Sequence, residues 1–146
     1  MKDDIVKLRE KTGAGVMECK RALDEAKGDI SAAEKIIFKQ GLAKAEKKQE
    51  RQTSSGMLHG YVHNDRVGVL VDVRCETDFV VKSDPFRELV HNIALHIAGM
   101  NPENVESLLA QPYVKDPSMT IGELLKKSIA TIGENMKIER FTRYEI

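Results

Sequence analysis

The sequence predicts an α+β fold: a small N-terminal helical module, a polar linker, and a larger domain whose helices pack on an antiparallel three-stranded sheet. Two changes of rhythm carry this reading. Through the first 41 residues, apolar side chains recur three and four positions apart and glycines punctuate them. From residue 56 the period drops to two, and Val67, Val69, Val71 and Val73 fall on one face of a strand. After residue 84 a second helical stripe supplies a cover for that face. At 146 residues the chain suits one ordinary domain, or a small one plus a medium one.

Residues 1–41 read as three short helices. "DDIVKLREKTG" opens on acids and closes on Lys11 and Gly13, which matches the helix dipole and a glycine C-cap. In "GVMECKRALDEAKG", Cys19, Ala22, Leu23 and Ala26 make one apolar stripe, and Lys27 and Gly28 close it. In "DISAAEKIIFKQG", Ser31 and Glu34 have capping-box spacing and Gly41 is expected to end the helix. Three helices in about 40 residues lie near the lower limit for a chain folding alone. Such a module has little core and much surface, so binding is its expected role. The connection Thr12, Gly13, Ala14, Gly15, Val16, Met17 draws the eye. Val16 and Met17 either staple the start of the second helix or present an apolar contact patch.

Residues 42–55, "LAKAEKKQERQTSS", lose their apolar periodicity after Leu42 and read as a solvated polar linker, helical in part. Residues 56–146 then form the α+β core domain. Asn64-Asp65 is the expected turn between the first two strands. Leu70 interrupts the polar alternation opposite the valines, which predicts partial cover on both faces. His59 and His63 point the same way but stand about 13 Å apart on a strand, too far to share one ion. His91 and His96, five apart on a helix, diverge, so no metal site is expected.

The stretch "CETDFVVKSDPF" connects the second strand to the next helix. It sets an acid, Asp78, beside a bulky aromatic, Phe79, where water is the usual neighbour. Taken alone, Asp78 caps a turn and Phe79 folds back into the core. Ser83 or Asp84 caps a helix with Pro85 in its first turn, and Phe86, Leu89, Val90, Ile93, Ala94 and Ile97 form its stripe up to Gly99. "NVESLLA" is a further short helix, "QPYVKDPSMT" a proline-punctuated loop, and "TIGELLKKSIATIG" a helix capped by Thr120 with Glu123 as box partner. The tail "NMKIERFTRYEI" alternates Met136, Ile138, Arg140 and Thr142 against Lys137, Glu139, Phe141 and Tyr144, and reads as a third strand. A sheet of three strands with few helices is a thin core, and its exposed face or edge invites a partner.

Composition narrows the function classes. Apolar residues are 41%, charged residues 32%, and the formal net charge is zero, which gives no electrostatic case for nucleic acid or an anionic membrane. Aromatics are sparse and Trp is absent, so no base-stacking platform is expected. Cys19 and Cys75 form no zinc spacing and are expected as reduced thiols. The charged start "MKDDIVKLRE" lacks an apolar signal core, and no run approaches the ~18 residues of a membrane span. A soluble cytoplasmic protein is expected. No nucleophile motif, phosphate loop or ligand spacing points to an enzyme or to a cofactor.

Three blocks in order carry a family resemblance. "LREKTGAGVMECKRALDEAKGDISAAEKII", "CETDFVVKSDPF" and "QPYVKDPSMTIGELL" together resemble bacterial translation elongation factor Ts, the guanine-nucleotide exchange factors for elongation factor Tu. The resemblance covers nearly the whole chain. It implies a ubiquitin-associated-like fold for residues 1–41 and an exchange role without covalent chemistry. It also implies a tip, Thr77, Asp78, Phe79 and Val80, that enters the G domain of Tu near its Mg²⁺. In this reading Thr77 fixes the tip and Val80 packs inward, while residues 12–17 hold the G domain. Long members have two similar core halves and a helical excursion. This chain has one half and resembles the short form, so 56–146 is expected to dimerise. The rival is a non-catalytic adaptor with a ubiquitin-associated-like module.

Overall fold

A computed structural model describes residues 1–146. The N-terminal helices are α1 (Lys2–Thr12), α2 (Val16–Glu25) and α3 (Ile30–Lys48). They close on a small core of Leu8, Cys19, Ala22, Leu23, Ala33 and Ile37. α1 ends where expected: Gly13 takes φ 70°, a left-handed conformation that costs glycine little, and its N–H returns to the Arg9 carbonyl. The start of α3 differs from expectation. Asp29, not Ser31, is the N-cap, and its carboxylate accepts the Ala32 N–H at 3.1 Å. An oxygen two residues earlier already satisfies the first turn, so Ser31 and Glu34 lie inside the helix.

The end of α3 is a larger correction. Gly41 does not stop it. The helix runs two further turns, and residues 42–48, expected as part of a linker that is helical in part, belong to it. Ala33, Ile37, Gly41 and Ala45 are its buried residues, each four positions from the last. That stripe begins in the small core, and Ala45 ends it in the large one. A Cβ built on Gly41 would stand 3.5 Å from the Ala130 side chain, so the glycine marks a close approach of two helices. The lysines that disguised the segment as linker, Lys44 and Lys47, face water.

The larger domain holds β1 (Ser55–His63), β2 (Val67–Cys75), α4 (Asp78–Val81), α5 (Asp84–Met100), α6 (Val105–Ala110), β3 (Pro112–Tyr113), β4 (Asp116–Thr120), α7 (Ile121–Ile132) and β5 (Met136–Glu145). The sheet order is β1-β2-β5, antiparallel throughout. Asn64 and Asp65 both take positive φ, 50° and 57°, which suits a two-residue hairpin turn on a twisted ladder. Val69, Val71 and Val73 bury against Phe86, Val90, Ile93, Ala94 and Ile97 of α5. The opposite face carries no helix: Leu70 on it is 46% exposed, while Asp72, two residues on, is buried with Arg74 and Arg140 on its carboxylate.

β5 is the expected third strand, with a change of phase. A bulge between Asp72 and Val73 pairs them with Arg140 and Ile138, leaving Glu139 without an opposite residue. Met136 and Ile138 face the core, but beyond the bulge Phe141 packs there instead of Arg140 and Thr142. Arg140 turns outward to Asp72, which it meets at 3.1 Å while Arg74 meets the same carboxylate at 2.6 Å. α5 passes through Gly99 and closes on Asn101 in the left-handed region, φ 45°. The stretch expected as a loop, 111–120, contains the β3–β4 hairpin. Thr120 and Glu123 make both arms of the capping box, each at 3.1 Å.

His96 is fully buried on α5. Its Nδ1 accepts the Val114 N–H at 3.1 Å, which leaves Nε2 to donate to the Gln111 side-chain oxygen at 2.9 Å. The neutral ring therefore ties α5 to the β3–β4 hairpin, and burial holds its pKa below the ordinary imidazole value. The unfolded chain takes up this proton first as pH falls below about 6.5, so stability declines through the window from there down to the folded value. Urea midpoints are expected to drop as pH falls below about 6.5, and His96→Gln to flatten that slope. His59, also depressed by burial and by His91, adds a slope of the same sign that survives in His96→Gln.

The α3–α7 contact makes a second prediction. At 3.5 Å an added methyl meets Ala130 in ordinary contact, so Gly41→Ala should stabilise by about 0.5–1 kcal/mol through helix propensity. Gly41→Leu should cost about 1–3 kcal/mol by forcing the two helices apart. Thermal unfolding of the two variants measures both signs.

Candidate functional site

The tip is a single helical turn on a fixed base. Thr77 is extended, φ −131° and ψ 153°, and its hydroxyl oxygen accepts the Val80 N–H at 3.4 Å, capping α4. The connection expected between a strand and α5 is thus itself partly helical. α4 splits its apolar pair. Val80 is 5% exposed and joins the main core, whereas Phe79 is 85% exposed and points into solvent. Phe79 does not fold back, and Thr77 does the capping that Asp78 alone suggested. Asp78 lies exposed in the first turn. The far end is closed by Ser83, whose hydroxyl donates to the Val80 carbonyl at 2.7 Å.

Beneath the tip, Cys75 is buried and its thiol donates to the Thr77 carbonyl at 3.3 Å. Burial first, then the Glu134 carboxylate, push that thiol up from its usual range. A neutral, enclosed sulfur is a packing group rather than a nucleophile.

One group at this base escapes sequence reasoning. Glu134, just beyond α7, sends its carboxylate across to accept the Glu76 N–H (3.1 Å), the Thr77 N–H (3.0 Å) and the Thr77 hydroxyl (2.7 Å). Its partners are 57 and 58 residues away in the chain, so no local pattern announces the contact.

The second candidate stretch, residues 12–17, lies on the helical module. The Thr12 hydroxyl donates to the Leu8 carbonyl at 2.7 Å and its oxygen accepts the Ala14 N–H at 3.3 Å. Gly13 turns the chain, Gly15 is the N-cap of α2, and Ala14 packs on the small core. Val16 and Met17 are exposed, Met17 by 61%, which leaves them as surface rather than as a staple. The two stretches do not merge into one cavity. They share a support instead: Gly13 approaches the Thr131 side chain near the end of α7, three residues before Glu134.

A groove of about 730 Å³ lies between the module and the larger domain, with Gly13, Glu18, Lys44, Asp116 and Lys127 on its walls. Lys44 is paired with Glu18 at 2.6 Å. The histidines sort differently from their spacing. His59 Nε2 meets His91 Nδ1 at 3.0 Å across β1 and α5, and His63 bonds Tyr61 at 2.8 Å. No group of three or more His, Cys, Asp or Glu side chains is placed to hold a metal ion, and no helix is long and apolar enough to cross a membrane.

Comparison with known proteins places this geometry. A family model described as Elongation factor TS matches residues 24–103 and again 76–146, so the tip and α5 fall within both matches. An elongation factor Ts of Coprothermobacter proteolyticus is 40% identical over 188 aligned residues, covering 97% of this chain and 95% of the relative. One of Rubrobacter xylanophilus is 40% identical over 190, covering 99% and 97%, and one of Alkaliphilus oremlandii is 38% identical over 187, covering 97% and 87%. These alignments exceed the chain's own 146 residues while spanning most of both partners, so the relatives carry internal residues that this chain lacks. The chain belongs to the elongation factor Ts family, a family of translation elongation factors.

Proposed function

We propose that the chain is a guanine-nucleotide exchange factor that binds elongation factor Tu in its GDP state and promotes GDP release. The observation that carries this is Phe79, 85% exposed on a capped turn whose neighbouring Val80 is buried. A monomer gains nothing by holding a phenyl ring in water. Burial of such a side chain in a partner stabilises by about 1.5–3 kcal/mol, and an isolated aromatic anchor is a typical hot spot. Asp78, beside it, carries a negative charge to the same contact. In the G domain that contact disturbs the groups around Mg²⁺, whose octahedral oxygen shell tolerates little displacement and includes nucleotide phosphate.

The mechanism is linkage, and no bond is made or broken. The factor binds nucleotide-free Tu more tightly than Tu–GDP, so GDP binds the complex more weakly by the same ratio. GTP then refills the site and displaces the factor. Residues 12–17, with Val16 and Met17 exposed, are the second contact on the G domain. This reading places the protein in the cytoplasm, where translation runs.

Release of a fluorescent GDP from Tu at fixed Mg²⁺ is the decisive measurement. The protein should accelerate release, and Phe79→Ala should lower the acceleration at least about tenfold with an unchanged melting temperature, as loss of a buried anchor requires. Binding without acceleration would favour the adaptor, and equal losses of exchange and stability would return Phe79 to the core.

A second copy of the chain is the proposed cover for the open sheet face. Leu58, Val62, Leu70 and Tyr144 are all exposed, and by the pairing register they share that face. An apolar patch of this kind on a stable monomer is unusual. Sedimentation should give a dimer, and Leu70→Lys should yield monomer. A monomeric parent at about 10 μM would remove this part of the proposal.

A further inference from the structure

We infer that Glu134 and Asn135 are positioning residues for the tip, and that they do so by locking three separate chain segments into one base. The inference rests on the exchange reading for its functional consequence and on geometry for the lock itself.

The lock is reciprocal. Glu134 takes the two backbone N–H groups at 76 and 77 and the Thr77 hydroxyl. Glu76 returns the favour: its Oε1 accepts the Asn135 N–H at 2.8 Å. The Asn135 side-chain amide then donates to the Arg51 carbonyl at 2.8 Å and the Gln49 carbonyl at 3.4 Å, on the segment leaving α3. Arg51 closes the circuit with an ion pair to Glu76 at 3.5 Å. Asn135 is buried and its N–H and side-chain amide are both used. The end of α3, the start of the tip and the step from α7 into β5 are thereby fixed to one another.

The consequence for α4 is direct. A hydroxyl that donates to a carboxylate has its proton committed, so its lone pair is free to face the Val80 N–H. Glu134 therefore selects the Thr77 rotamer that caps the turn. A four-residue helix has no propensity to hold itself. Without that cap, the turn that splits Val80 inward from Phe79 outward loses its definition. The same end of α7 also supports Gly13, through Thr131, so the spacing between the two proposed contacts is set from one place.

The experiment compares Glu134→Ala and Glu134→Gln in the full chain. Three quantities are read: maximal stimulated GDP release, the half-saturating concentration, and solvent-exchange rates of the Thr77, Val80 and Val71 amides by NMR. Glu134→Ala should lower the maximal rate about tenfold, with the half-saturating concentration within about threefold, because removing charge-assisted bonds loosens the tip and not the module. The Thr77 and Val80 amides should exchange about tenfold faster while Val71, in the centre of β2, is unchanged. Gln keeps an oxygen for the two N–H groups and should restore most of both. Unaltered Thr77 and Val80 amides in Glu134→Ala would overturn the inference, as would a parental release rate or an identical loss in Ala and Gln matched by a lower melting temperature. If the parent protein itself leaves GDP release unaccelerated, the exchange reading fails, and the amide rates alone still decide whether Glu134 holds the tip.

Discussion

The approach of α3 to α7 at Gly41 and Ala130 is the constraint on which the rest of the molecule hangs. The helical module alone closes on six buried residues, too few to be comfortable for a chain of that size. The larger domain buries many more, yet its sheet has only one covered face. α3 serves both. Its i, i+4 stripe starts among the module's side chains and ends with Ala45 in the other core. Small residues at 41 and 45 let α7 come close, and an ion pair between Lys126 and Glu46 at 3.5 Å flanks the contact. A flexible linker in this position would leave the module free to swing. A continuous helix fixes where it points.

From that joint the order passes along α7 to the tip. α7 is capped at its start by the Thr120–Glu123 box and at its end by Gly133, φ 89°. A helix held at both termini delivers Glu134 and Asn135 to a definite place, and those two residues receive the backbone on either side of them. Two carboxylates, Glu76 and Glu134, serve this base, and each accepts hydrogen bonds from backbone N–H groups on the other's segment. Arg51 adds an ion pair to Glu76 at 3.5 Å.

What could be seen in the sequence follows the range of the interaction. Helices and strands with a regular stripe were legible: the valines of β2, the apolar face of α5, the Thr120 box and the Asn64-Asp65 turn all depend on neighbours a few residues away. The failures were of two kinds. Gly41 and Gly99 read as stops because glycine ends helices on average. One is instead packed against Ala130, and the other lies two residues short of the Asn101 cap. The phase of β5 beyond residue 139 is hidden, because a bulge leaves no mark on the sequence of the strand that contains it. Of the tip, residue types and exposure were readable, the latter only through resemblance. Its support was not, since Glu134 meets Thr77 across 57 residues.

The value of such support lies in what an exposed aromatic can do. A Phe on a mobile loop loses freedom when it enters a pocket, and that ordering offsets much of what burial supplies. On a capped turn with Val80 anchored and the Thr77 hydroxyl engaged at both proton and lone pair, the backbone share of that freedom is already restricted. In the proposed complex, less of the binding free energy would then go to ordering the backbone of the tip. The exchange proposed above would draw on this surplus, because a factor acting by linkage weakens the nucleotide only by as much as it prefers the empty state over the filled one. In that proposal a loosely held Phe79 would still enter the partner, but with less free energy left to displace the groups around its metal. Rigidity at the base of the tip and exposure at its end are therefore two halves of one property.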